Sequence, residues 1–493
     1  MRFLLIFFPL LLFSLSLQEI LTHPKSYVRD FYLTQFMKET KSPVLAFKAY
    51  NSLYKKRMIH LKILSKFKMF KSMYRCVNVY PKYLKDVDIA CILNNGLSLR
   101  SIAKLKREDL EYLYFNLPQS KEREAVDIIL NKKFYKVFSN RDLGYYFIIN
   151  YPNKVIDQPI LDFSIFQDNY FYMFIKYAVL NNLSFIKKSL NFIEFKDLDD
   201  RAKWWLFLNA MTLKDYKRAK NILYSFKKSN DKINFWRWRL GDKRGYYELL
   251  KSDRVNFYTL WAYEVAHKHF KIKTHIIFDN IKRPLFNQEN PWDVLKFWSE
   301  FKKRSDLFDF ARSLDSYKSI ALKAIVLDKA FHYKYNFFIT PPIYFDKNVS
   351  FRAFVYAIAR QESRFIPASV SRSYALGTMQ VMPFLVKDYK GDIFKQFDYN
   401  QNIKIGVKHL KWLFKRLHNP LMVAYAYNGG IGFVKRKVIP YFKYKGRFEP
   451  FLSMELVRYD ESREYGKKVI ANYVIYSHIF GNKSLTLHKL LKK

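Results

Sequence analysis

The chain has 493 residues, half of them hydrophobic, and carries 87 Lys+Arg against 43 Asp+Glu, a formal charge of +44. That length allows two to four domains, and only 13 glycines among so many long apolar side chains favour a mainly α protein with large cores. Two cysteines and few other ligands at zinc spacing argue against a metal site. The charge fits nucleic acid, an anionic membrane surface or an anionic polymer, and alone selects none of them.

In chain order, Arg2 and the apolar run Phe3 to Phe13 lead into Ser14-Leu15-Ser16, the pattern of a secretory signal over residues 1–16. The run falls short of the roughly 20 residues of a membrane span, and no later stretch reaches that length. No cysteine lies beside the cleavage region, so no lipid anchor is expected. Cys76 and Cys91 allow one small disulfide loop; Cys91 within Ile89-Ala90-Cys91-Ile92-Leu93 equally suits a buried thiol.

Residues 26–335 read as successive helices with short breaks. Asp199-Asp200 caps a helix bearing Trp204, Trp205, Leu208 and Met211. A turn near Thr212-Leu213 leads to a second helix with Tyr216, Ala219, Ile222, Leu223 and Phe226. That is a helical hairpin of the kind found in α-solenoids, although no fixed repeat period is present. Asn234-Phe235-Trp236-Arg237-Trp238-Arg239 reads as a helix end with packed tryptophans and snorkelling arginines, more than as a stacking surface for bases or sugars. Thr340-Pro341-Pro342 marks a boundary.

Beyond it, Ala357-Ile358-Ala359-Arg360-Gln361-Glu362-Ser363-Arg364-Phe365 ends an apolar helix that Ser350 is placed to cap, with Phe351, Phe354, Val355 and Ile358 at helical spacing. Glu362 falls on that apolar face in the last turn. Desolvation and the helix dipole both raise its pKa, which suits a proton donor; Arg360 and Arg364 act oppositely if they approach. Residues 362–383 read as a loop or small hairpin, with Pro383 opening the next helix. Helices follow over about 402–417, from Pro420 to a stop at Gly429-Gly430, and over about 462–479. Asp388, Asp392 and Asp398 are the nearby acids, and none stands in a pattern that would hold it opposite Glu362.

Four segments then recur in a known order: Gln361-Glu362-Ser363 with Ser371, Gly377-Thr378-Met379-Gln380-Val381-Met382-Pro383, Ala424-Tyr425-Ala426-Tyr427-Asn428-Gly429-Gly430, and Glu461-Ser462-Arg463-Glu464-Tyr465. Over the last 150 or so residues the chain resembles the catalytic domain of the soluble lytic transglycosylases, goose-lysozyme-like enzymes that cut peptidoglycan. The resemblance implies an α-superhelical, ring-like region over 17–250, linker helices over 251–334 and a lysozyme-like α+β catalytic domain over 335–493. It also implies that Glu362 is the catalytic acid and then base, and that Ser371 holds the substrate's N-acetyl group. Met379, Gln380 and Met382 would line the sugar cleft, Tyr427 and Asn428 would orient Glu362 or the substrate, and Glu461 would order the site.

The implied setting is the periplasm, with peptidoglycan strands as partner, no nucleic acid, no cofactor and no metal. Three positions depart from the family pattern: Tyr374 stands where Gly is common, Thr378 where Leu is, and Gly429 where Ala is. The alternatives are a goose-type muramidase using water on the same fold, and an inactive wall-binding helical scaffold.

Overall fold

Short polar residues start most of the helices. In the computed structural model, which describes residues 15–78, 84, 88–133, 171–270, 272–274 and 283–492, Ser26, Ser42 and Ser120 each accept the backbone N–H three residues on, opening helices Tyr27–Glu39, Pro43–Asn51 and Lys121–Leu130. The predicted signal core, residues 1–14, lies outside the described residues. Ser16 closes a capping box with Glu19 on helix Leu17–Thr22. Among the described residues no helix is long and apolar enough to cross a membrane.

The chain divides into two compact units, Met1–Asp162 and Phe163–Lys493. Within the first, the buried Asp30 accepts the backbone N–H groups of Tyr54 and Lys55 at 2.7 and 2.9 Å, tying a turn to helix Tyr27–Glu39. Cys76 and Cys91 form a disulfide joining helices Lys71–Val77 and Ile89–Asn95, with Cα atoms 6.0 Å apart. Closing a loop of that length restricts the unfolded chain by about 3 kcal/mol.

The second unit opens with helix pairs. We label α1 Phe171–Leu180, α2 Asp200–Thr212, α3 Asp231–Arg239 and α4 Phe257–Val265. Asp199 accepts the N–H groups of Arg201 and Ala202 at the start of α2, and Asp215 starts the returning helix Tyr216–Tyr224, so the expected hairpin forms. In α3 the packing reading holds: Trp236 is fully buried, Arg237 lies over Tyr224, and Arg239 lies over Phe451 at 5.0 Å.

The longest helices of the C-terminal domain are α5 Val349–Ser363, α6 Tyr399–Leu417, α7 Pro420–Gly429 and α8 Asp460–Ile479. Asn348, not Ser350, caps α5. Its side chain accepts the Phe351 N–H at 3.0 Å, which moves the helix start two residues upstream. Helix α5 packs along α8 through Phe354 on Tyr473 and Tyr356 on Tyr476, with ring centroids 5.1 and 5.6 Å apart. Helix α7 crosses α8 at Gly466, where an added Cβ would lie 2.1 Å from the Tyr425 ring, so only glycine permits that approach. The expected loop between α5 and Pro383 is a pair of tight turns pinned by antiparallel bridges Val370–Leu376 and Leu376–Val381. These bridges are the β part of the domain.

The helix pairs and the C-terminal domain share a core. Phe451 packs against Phe235 and Trp261 at 5.0 and 4.7 Å. Beside it Lys467 Nζ sits 3.0 Å from Glu455, which also accepts the Tyr258 hydroxyl at 2.6 Å and faces Lys232 at 3.3 Å. Lys467 further reaches Glu464 at 2.9 Å. Burial alone would raise the Glu455 carboxyl, but Lys232 and Lys467 outweigh it and hold the group well below its ordinary range.

Candidate active site

Helix α5 stops one residue after Glu362. Arg364 and Phe365 take left-handed backbone angles (φ 55 and 70°), Phe365 is fully buried, and Ser363 Oγ donates to the Thr378 carbonyl at 2.8 Å. These contacts fix the last turn and hold Glu362 half-buried at the helix end. Its Oε1 accepts the Tyr465 hydroxyl at 2.7 Å from α8. Neither neighbouring arginine approaches it. Arg360 donates to the Phe337 carbonyl and stacks on Phe338 at 3.8 Å, while Arg364 pairs with Asp328. With both cations drawn away, burial pushes the Glu362 carboxyl up to about 8; the Tyr465 hydrogen bond opposes this and repulsion from Glu461 adds to it.

Tyr427 and Tyr465 flank the carboxylate. Burial, and then the charge of Glu362, push both phenols far above their usual value, so they stay neutral hydrogen-bond donors. Tyr427 donates to the Met379 carbonyl at 2.8 Å, joining α7 to the turn below. Asn428 donates to Glu461 at 2.9 Å and accepts the Ser462 hydroxyl at 2.6 Å, so the end of α7 is locked to the start of α8. Glu461 itself is exposed. Within the Glu461-to-Tyr465 segment the sequence assigns Tyr465 no role of its own. Its spacing of four from Glu461 places both on one face of α8, and that was the available signal.

Ser371 Oγ accepts the N–H groups of Ser373 and Ala375 at 3.2 and 2.9 Å, which leaves its hydroxyl hydrogen to donate outward. Gln380 donates to the Gly377 and Ser369 carbonyls at 2.8 and 3.2 Å, leaving its side-chain oxygen as an acceptor. Met382 is half-buried before Pro383, the first residue of helix Pro383–Asp388. The Met379 side chain is fully buried against Gly406 of α6, where a Cβ would meet its sulfur at 2.3 Å.

The other acids serve local structure. Asp392 accepts the Phe394 N–H and Asp398 caps α6, each at 2.9 Å, and Asp388 ends its helix. Among the described residues no group of three or more His, Cys, Asp or Glu could hold a metal.

Two of the departures have physical consequences. Tyr374 adopts φ 65° while buried, a conformation that costs a tyrosine what glycine would not pay. Thr378 is fully buried and its hydroxyl has no partner. Thr378→Val, which keeps the shape and removes the hydroxyl, is therefore expected to raise stability by about 1 kcal/mol, read as the shift in a denaturant midpoint at unchanged slope.

Comparison with known proteins matches residues 346–447 to the transglycosylase SLT domain. The chain carries a transglycosylase SLT domain over this stretch. Its SLT domain contains Glu362, Ser371, Gln380, Tyr427 and Asn428; α8, with Glu461 and Tyr465, follows it. The soluble lytic murein transglycosylase of Salmonella typhimurium is 31% identical over 147 residues, which cover 28% of this chain and 22% of that protein. A putative soluble lytic murein transglycosylase of Haemophilus influenzae is 29% identical over 210 residues, covering 39% and 34%. The chain thus spans about a fifth to a third of the length of these relatives. Among solved structures, an inactive mutant of the lytic transglycosylase Slt from Pseudomonas aeruginosa superposes with a TM-score of 0.47 at 15% identity, covering 95% of this chain and 90% of that one.

Proposed function

We propose that this protein is an exported lytic transglycosylase that cleaves the β-1,4 bond between N-acetylmuramic acid and N-acetylglucosamine in peptidoglycan. The observation that carries the reading is Glu362: one carboxyl raised to about 8, held by Tyr465 at a helix end, with the nearby aspartates engaged as caps. A protonated Glu362 gives its proton to the leaving glycosidic oxygen as the anomeric C–O bond breaks. The substrate's own N-acetyl oxygen supports the anomeric carbon in an oxazolinium-like species, oriented by the outward hydroxyl of Ser371. Glu362, now ionised, takes the proton from the same sugar's 6-hydroxyl while that oxygen bonds to the anomeric carbon and expels the N-acetyl oxygen. The enzyme ends protonated as it began, the product is a 1,6-anhydro sugar, and no water is consumed. Intramolecular closure is favoured because the attacking oxygen is already in place.

Burial, with a smaller push from the charge of Glu461, keeps the acid protonated at rest. Gln380 and Asn428 border the site with side-chain amides, which suit sugar hydroxyls and acetamido groups. An apolar N-terminal run and a polymer substrate outside the cytoplasm fit a periplasmic setting.

Mass spectrometry of muropeptides released from purified peptidoglycan tests the reading. Anhydro ends, one water lighter than reducing ends and absent with Glu362→Gln, are the expected result. Reducing ends would instead make the enzyme a muramidase, and no Glu362-dependent product from a folded protein would leave a wall-binding scaffold.

A further inference from the structure

The C-terminal domain carries a groove away from Glu362. The groove, of about 610 Å³, runs between one face of α6 and the chain leading into α5. Its floor is apolar, from Pro342, Ile343, Ile403 and Val407, and its rim carries Lys404, Lys408, Lys411 and Arg352. Arg352 stands ten residues before Glu362 on α5, about 15 Å along the helix, so the groove lies at the opposite end of α5 from the acid.

The groove holds four cations and no carboxylate among its lining residues. Lys404, Lys408 and Lys411 are exposed and follow one another at spacings of four and three on α6. None of the three makes an ion pair among the described residues; Lys408 and Lys411 rest near the rings of Tyr389 and Phe351 at 6.0 and 5.6 Å. Arg352 stacks its guanidinium on Phe480 at 4.1 Å, and its buried Nε makes no hydrogen bond. Asp346, near the rim, is engaged by the Tyr344 hydroxyl at 2.6 Å and the Asn348 N–H at 2.9 Å, and feels the charge of Lys411. Phe345, at 74% exposure, stands at the same rim as an uncovered apolar surface.

We propose that this groove docks an acidic protein segment in extended conformation. In such a segment alternate side chains point to opposite sides, with successive same-side residues about 7 Å apart. Lys404 and Lys408 are about 6 Å apart along α6. Carboxylates at alternate positions therefore meet the lysines in register, while the intervening apolar residues meet the floor and Phe345. The apolar floor favours such a segment over a fully hydrophilic polyanion. The proposal does not depend on the catalytic reading.

The test is fluorescence anisotropy of the full chain with a labelled peptide of alternating Glu and Leu. The expected result is saturable binding that Lys404→Glu/Lys408→Glu weakens by on the order of tenfold or more. Lys435→Glu/Lys437→Glu, an equal charge change on another exposed stretch, should leave it unchanged. Both pairs are surface substitutions, and circular dichroism confirms the fold. Equal losses in the two variants would show diffuse attraction and overturn the proposal, as would wild-type binding by the first. Preferential binding of anionic vesicles, or equal affinity for a poly-Glu peptide lacking leucine, would overturn it in favour of a lipid or a simple polyanion.

Discussion

Glu362→Gln is expected to reduce peptidoglycan cleavage by at least about 10³-fold and, at the same time, to make the protein more stable at alkaline pH. The first effect follows because glutamine neither donates nor accepts the proton that the reaction passes twice. The second follows from the direction of the pKa shift. Folding raises the Glu362 carboxyl from 4.5 to about 8, chiefly through burial, so between those values the folded state holds a proton that the unfolded state has released. Stability then falls as pH rises through that window, and above it the wild type carries the full cost of an ionised carboxylate in a poorly solvated place. The variant lacks this cost. Its gain should reach about 2–4 kcal/mol at pH 9 and vanish at pH 4, where the group is protonated in both states. Denaturant unfolding of both proteins at the two pH values measures it. The same shift sets the activity profile: kcat/KM should decline above about pH 8 as the acid ionises. In Tyr465→Phe, which loses the hydrogen bond that favours the ionised form, that limb should move to higher pH. A pH-independent stability difference would remove the basis for the raised acid.

The second large effect is expected at the buried charge network. Glu455→Gln removes the buried carboxylate that Lys467 and Lys232 share and leaves both with only the more exposed Glu464, which should cost on the order of 3 kcal/mol. Because folding depresses the Glu455 carboxyl, its contribution is present above its ordinary value of 4.5 and is lost as pH falls through the depressed one. Acid unfolding should therefore be steeper in the wild type than in the variant. Glu455→Gln/Lys467→Met, which removes both members of the closest pair, should recover part of the loss. Activity should also suffer, since Glu464 and Lys467 flank Tyr465 on α8 and a loosened α8 displaces the hydroxyl that holds Glu362. Unchanged acid unfolding in Glu455→Gln would show that the network contributes nothing.

Much of the C-terminal helix pattern was legible because it rests on local rules. Pro383 and Pro420 open helices, Gly430 ends α7 with φ 82°, and the apolar spacing before Glu362 places it correctly on α5. The cap of α5 was misread because Ser350 and Asn348 have nearly equal capping preference, and only the position of the Phe351 N–H decides between them. The state of Glu362 was not legible. It depends on where Arg360 and Arg364 go, and their partners, Phe337 and Asp328, lie more than twenty residues upstream. The disulfide was equally closed to the sequence, since two cysteines that permit a bridge also permit two thiols until their Cα atoms are placed 6.0 Å apart. Tyr374 shows the converse. A departure visible in the sequence acquires its meaning only from a backbone angle.

The space beside Gly429 is already filled. A methyl group there would lie 2.7 Å from the Phe433 ring and 2.9 Å from the Ser462 hydroxyl that orders Asn428. Phe433 is itself buried and stacked on Tyr459 at 4.5 Å. An alanine at 429 thus requires both the Phe433 ring and the Ser462 hydroxyl to shift. Even one added methyl group is closed to this position until its neighbours have moved.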